Sequence, residues 1–130
     1  MSDLLRPLST TSREVRLRSR PVGWPTPEDF ELAESEVPAL AEGQIRVRNV
    51  VMSVDPYMRG RMSDAKSYAA PFALGEAMNG GAVGVVEESR APGYAVGDHV
   101  LHGLGWREVA VLDTAGTRVV TGPPIPAPPP

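Results

Sequence analysis

The chain has 130 residues and a formal net charge of −3, with 12 of its 13 basic residues arginine. Such a mild acidic balance gives no long-range attraction to nucleic acid or to an anionic membrane, and neither is expected as a partner. The 14 prolines and 13 glycines argue against a helical bundle, where each interior breaker costs roughly 1 to 3 kcal/mol, and for a turn-rich β architecture.

The length suits one domain with its own core. Cysteine is absent, which removes disulfides, thiolate metal sites and cysteine nucleophiles together. No apolar run approaches the roughly 20 residues that span a bilayer. The N-terminus lacks the basic and apolar regions of a secretory signal, so a cytoplasmic chain is expected.

In chain order, residues 1–12 are polar and are expected to fray. Glu14 to Arg18 alternates, with Val15 and Leu17 on one face, as a half-buried strand requires. Three prolines between Arg20 and Pro27 predict a loop. Asp29 to Glu36 reads as a second strand, its Glu34 and Glu36 breaking the alternation. Gln44 to Val54 is the strongest strand: Ile45 and Val47 alternate with Arg46 and Arg48, and Val50-Val51-Met52 is then continuously apolar. Such a run enters the middle of a barrel or a domain interface; left open, it would be an exposed apolar face. Asp55 reads as an N-cap and Pro56 to Arg59 as a helical turn. Met62 to Leu74 reads as a loop.

Asn79-Gly80-Gly81 has the chemistry of a tight turn. Ala82 to Glu87 follows as a buried strand, Pro92 to Asp98 as a turn and His99 to His102 as a strand. Gly103-Leu104-Gly105 interrupts the pattern before Trp106 to Leu112 resumes it. Residues 122–130 hold six prolines and are expected to be disordered and dispensable for stability. About five or six strands with glycine turns suggest a small barrel or sandwich.

Several motifs invite a chemical reading. Gly80 to Gly84 and Gly103 to Trp106 partly match a dinucleotide fingerprint, but that fingerprint must follow a strand and open a helix. Here both lie in β-type sequence, so turns or bulges are expected. His99 and His102 fall on opposite faces of one strand, and nothing completes a metal set. Glu28, Asp29, Glu31, Glu34 and Glu36 read as a solvated acidic segment with no pair arranged for acid/base work. Tyr57 sits on the first turn after the most apolar strand, where its phenol could donate to a substrate oxygen. On spacing alone, packing of Tyr57 on the barrel rim is the preferred alternative.

Three motifs occur in order over about residues 13–118: Ser53-Val-Asp-Pro-Tyr-Met-Arg59, Gly75-Glu-Ala-Met-Asn-Gly-Gly-Ala-Val-Gly-Val-Val-Glu-Glu-Ser89, and Gly97-Asp-His-Val100 followed by Gly105-Trp106. Together they resemble the N-terminal domain of the zinc-independent medium-chain dehydrogenase/reductase superfamily. The resemblance is to its leukotriene B4 12-hydroxydehydrogenase/prostaglandin reductase group, with the alkenal double-bond and curcumin reductases. It implies a mainly β, GroES-like, partly open β-barrel over 13–121 without the Rossmann cofactor domain of its look-alikes. It also implies no zinc, since zinc-dependent relatives place a cysteine near Ser53 and a histidine near Gly80. Family chemistry is NADP(H)-dependent reduction of the C=C bond of an α,β-unsaturated ketone or aldehyde. Tyr57 then becomes the expected catalytic donor, with Ser53, Asp55 and Met78 as cleft neighbours.

Family members run to about 330 to 350 residues, well beyond one domain. The resemblance therefore implies a truncated chain, inactive alone and not binding NADP(H) unaided. Two alternatives stay open: a binding module that uses its proline-rich tail as a ligand, and one half of a split reductase completed by a separate cofactor-domain chain.

Overall fold

Residues 10–63 and 70–120 are described by a computed structural model. The proline-rich segment 122–130 lies outside them, as do residues 1–9.

Alternating polar and apolar residues produce β1 (Thr11–Leu17), paired antiparallel with β2 (Phe30–Glu36). β1 takes in Thr11 and Ser12, expected to fray. Ser12 is instead buried, its hydroxyl donating to the Val109 carbonyl and accepting from the Val109 amide. The larger sheet contains β3 (Gln44–Met52), β4 (Ala82–Ser89), β5 (His99–His102), β6 (Val109–Asp113) and β7 (Arg118–Val119), in the antiparallel order β6-β3-β4-β5-β7.

The free edge of β1 joins the two sheets. Val15 N–H donates to the Trp106 carbonyl, Glu108 N–H to the Arg13 carbonyl, and Met78 N–H to the Val15 carbonyl. The outer strands β6 and β7 do not pair with each other, so the wall stays partly open.

Two apolar clusters fill it. One gathers Ile45, Val47, Val86, Val100, Ala110 and Leu112 from the larger sheet. The other joins Leu17 of β1 to Met58, Met62, Phe72 and Met78.

Two irregularities in the β3–β4 ladder correct the sequence reading. Glu87 bulges out opposite the Arg46/Val47 step and accepts hydrogen bonds from Arg46 and Arg48. The Arg46 side chain is thereby buried in an ion pair, where alternation places it in solvent. A second bulge at Val50 leaves Val50 and Val51 exposed, not in the middle of a barrel. The register Val51–Val83–Leu101 then runs a partly exposed apolar row across three strands.

Gly84 is where these strands come closest. A Cβ there would collide with a Val47 methyl and stand 2.5 Å from the Arg48 carbonyl oxygen, which cannot swing aside. Gly81 has open space around the same atom. Gly84→Ala is therefore expected to cost about 3 kcal/mol, the upper range of overpacking, and to lower Tm by roughly 10 °C or more. Gly81→Ala should change Tm little; equal effects in thermal melts of the two variants would refute the close-approach argument.

Candidate functional site

α1 (Tyr57–Arg61) is a single turn, far shorter than the roughly 12 to 15 residues a helix needs to persist alone in water. It is held from below by Met58 and Met62, one turn apart and both buried among Leu17, Phe72 and Met78. Burying each such side chain contributes about 2 kcal/mol. Its flanks are held by arginines donating to backbone carbonyls. Arg20 reaches Met62 O at 3.1 Å and Phe72 O at 2.8 Å, and Arg61 reaches Ala70 O at 2.8 Å while its guanidinium lies 4.3 Å from the Phe72 ring centroid. Arg59 reaches Pro21 O at 3.1 Å and Gly23 O at 3.0 Å.

This bracing presents Tyr57 outward. Tyr57 is 46% exposed, and its hydroxyl has no hydrogen-bond partner among the described residues. Ser53 donates to both carboxylate oxygens of Asp55 at 2.9 Å, and Ser53 N–H donates to Gly81 O. Asp55 does not cap α1 with its side chain, as the sequence suggests. The N-cap position falls to Pro56, and the Asp55 backbone carbonyl accepts from Met58 N–H at 3.0 Å. Met78 is fully buried in the cluster beneath α1, so it supports the turn from inside.

The floor under α1 is made by glycines used for proximity. Neither Gly80 nor Gly81 has the positive φ of the expected tight turn. Gly80 N–H donates to Gly103 O and Gly105 N–H to Gly80 O, so two loops lie against each other. A Cβ on Gly80 would sit 2.5 Å from Met58 Cε, and one on Gly105 would sit 2.7 Å from Met52 Sδ and 2.9 Å from Gly80 O. Trp106, at φ 60°, completes the floor with its indole N–H buried and unpartnered.

His102 anchors that loop. Leu104 N–H donates to its Nδ1, so the proton resides on Nε2, which donates to Asn49 Oδ1 at 2.6 Å. Asn49 in turn donates to Leu104 O and Arg107 O. Burial, and then the Arg107 charge, push His102 down from 6.5 to about 4. Arg107, itself lowered by burial, is held by Gly105 O, Met78 O and Asn79 Oδ1. Sequence reasoning did not single out Asn49 or Arg107; each needs partners more than 25 residues away in the chain.

Asp29 is more than a solvated charge. It accepts from Ser19 Oγ and Thr26 N–H, and these bonds, the Thr26 amide foremost, hold its carboxyl below the usual range. The remaining acidic residues of that segment, Glu28, Glu31, Glu34 and Glu36, are exposed. Among the described residues no group of three His, Asp or Glu could hold a metal ion, and no helix is long and apolar enough to cross a membrane. Gly80 to Gly84 runs into β4 and Gly103 to Gly105 lies between strands, so neither glycine cluster opens a helix toward a pyrophosphate.

A family described as the N-terminal domain of oxidoreductase matches residues 13–120. NADPH-dependent curcumin reductase of Escherichia coli (strain K12) is 51% identical over 97 residues, covering 75% of this chain and 28% of that protein. The NADP(+)-dependent 2-alkenal reductase of Nicotiana tabacum is 32% identical over 111 residues, covering 82% of this chain and 32% of that protein. The crystal structure of CurA in complex with NADPH from Vibrio vulnificus superposes with a TM-score of 0.80 at 47% identity, over 85% of this chain and 32% of that one. The chain thus spans about a third of the length of these relatives.

A titration follows from His102. Its imidazole is neutral in the fold and free to protonate when unfolded, so its contribution is complete above pH 6.5 and is lost as pH falls toward 4. The loss should approach about 3 kcal/mol at pH 4. Urea midpoints measured from pH 7 to pH 4 should show it, and His102→Gln should flatten that part of the slope. An unchanged slope in the variant would remove His102 from the account.

Proposed function

The chain belongs to the family of oxidoreductase N-terminal domains, in the zinc-independent branch of the medium-chain dehydrogenases/reductases, and we propose that it is the substrate-side domain of an NADPH-dependent reductase of α,β-unsaturated ketones and aldehydes. The observation that carries the reading is the unpartnered Tyr57 hydroxyl on a turn braced from three sides. The names of the curcumin and alkenal reductases support the substrate class.

Reduction of an enone's C=C bond adds hydride at the β-carbon and a proton at the α-carbon. Between these additions the carbonyl oxygen carries enolate charge. A donor already fixed in place stabilises that charge without reorganising at the moment of reaction. Tyr57 is such a donor: its phenol has one hydrogen to give. Ser53 and Asp55 are cleft neighbours in this reading; their mutual hydrogen bonds shape the strand exit that leads to Tyr57. Met78 acts from beneath, through its packing in the cluster that holds Met58. The described residues supply the substrate side of the site, and NADPH is bound with the help of a cofactor domain, in the same polypeptide or a separate one.

The test joins this chain to the cofactor domain of a close relative and follows NADPH oxidation with a simple enone. Tyr57→Phe should lower kcat by about 10- to 1000-fold, the range for removing one preorganised donor. Folding and NADPH affinity should hardly change, because only a hydroxyl is lost. A raised KM with unaltered kcat would make Tyr57 a wall of the pocket instead.

A further inference from the structure

Glu14 and Arg107 face each other where β1 joins the two sheets. They form an isolated antiparallel bridge, flanked by the bonds from Val15 N–H to Trp106 O and from Glu108 N–H to Arg13 O. In a pair flanked this way the opposed side chains leave the same face, with Cβ atoms about 4.5 to 5.5 Å apart. A carboxylate and a guanidinium so placed are expected to form an ion pair. They do not. Glu14 accepts instead from Arg16 Nε at 2.8 Å and from Ser35 Oγ at 2.7 Å. Arg107 donates instead to Gly105 O and Met78 O at 2.9 Å and to Asn79 Oδ1 at 2.7 Å.

Hydrogen-bonding capacity is left over on both sides. Arg107 spends Nε and Nη2 on these bonds, so the two hydrogens of Nη1 have no partner among the described residues. Nη1 is not sealed in, since among the described residues the buried side-chain polar atom without a partner is Trp106 Nε1. Each Glu14 oxygen has made one bond and can accept another, although the side chain is only 13% exposed. Both residues line a half-open pocket of about 200 Å³. Val37, Leu104, Val109 and Val111 give it an apolar wall. At about 30 Å³ for each water, that volume suits a ligand of roughly seven non-hydrogen atoms.

We propose that this pocket binds a small zwitterion, an α-amino acid with a short apolar side chain. The ligand's carboxylate accepts from Arg107 Nη1, its ammonium donates to the Glu14 carboxylate, and its side chain lies on the apolar wall. A simple anion would be drawn by Arg107 and repelled by Glu14, and a simple cation the reverse. Only a ligand carrying both charges is attracted at both ends, so the unmade ion pair acts as the selector. Glu36, exposed at the rim, is screened by water and adds little to the choice. The site lies apart from Tyr57 and does not rest on the reductase reading.

L-Valine is a probe of the right size. Added to the full chain, it should shift the Leu104 and Val111 amide signals saturably in a ¹⁵N–¹H correlation spectrum. Two fragments of the same molecule separate its charges: 2-methylpropan-1-amine lacks the carboxylate, and 3-methylbutanoate lacks the ammonium. Each should need at least about tenfold more ligand for the same shift. Glu14→Gln keeps the shape of the side chain and removes its charge, and it should weaken valine binding about tenfold. Shifts that do not saturate would mean a pocket filled by water only and would overturn the proposal. So would fragments that bind as tightly as valine, or an unchanged affinity in Glu14→Gln. The three ligands are compared in the unaltered chain, so that comparison decides the matter even if the variant fails to fold.

Discussion

A one-turn helix cannot hold a side chain in place by its own hydrogen bonds, and the rest of this structure is arranged around that limit. α1 has too few residues to close more than a couple of i to i−4 bonds, so its position is fixed by what surrounds it. The apolar anchor is the Met58 and Met62 pair. The polar anchors are guanidinium groups aimed at main-chain oxygens: Arg20 at residues 62 and 72, Arg61 at residue 70, Arg59 at residues 21 and 23. Irregular backbone leaves carbonyls that no ladder satisfies. A planar fork with five donors can serve two of them at once where an ammonium would act as a point charge. Arg90 and Arg107 also donate to carbonyls in this way, while Arg13, Arg16, Arg46 and Arg48 pair with carboxylates.

The glycines serve the same end by another route. Gly80 and Gly105 allow the 79–81 and 103–106 segments to exchange backbone hydrogen bonds directly under Met58, at a spacing that a side chain would prevent. The His102–Asn49 bond then fixes the second segment to β3, and Arg107 fixes it to Met78 and Asn79. Strand, loop and turn thus form a stack in which each layer sets the height of the next, and Tyr57 stands at its top.

Local pattern announced the strands and the proline stop before α1, because period-two alternation and a fixed proline φ act within a few residues. The same logic missed the bulges at Glu87 and Val50, since one inserted residue reverses the facing of everything after it without altering composition. Arg46 looked solvated for that reason and is buried against Glu87. The glycines of 79–81 read as turn residues, yet glycine serves close approach as readily as positive φ, and only the neighbouring Met58 and Trp106 decide between them. Tyr57 and Met78 were both singled out by their motifs, and Met78 is buried in the cluster with Met58. β7 is two residues long and carried no periodic signal.

In the proposed reading, Tyr57 as it stands is a donor of limited strength. A phenol on a residue 46% exposed hydrogen-bonds with water, and in a high-dielectric setting a hydrogen bond to an enolate adds little over what water offers. Its worth rises when the oxygen it faces is screened from solvent. The bulge at Val50 turns Val50 and Val51 outward, and Val54 continues that apolar strip to within three residues of Tyr57. A surface of this kind favours being covered. Covering it would dry the ground beside the phenol in the same event, so in the proposed reading the apolar strip and the donor act together.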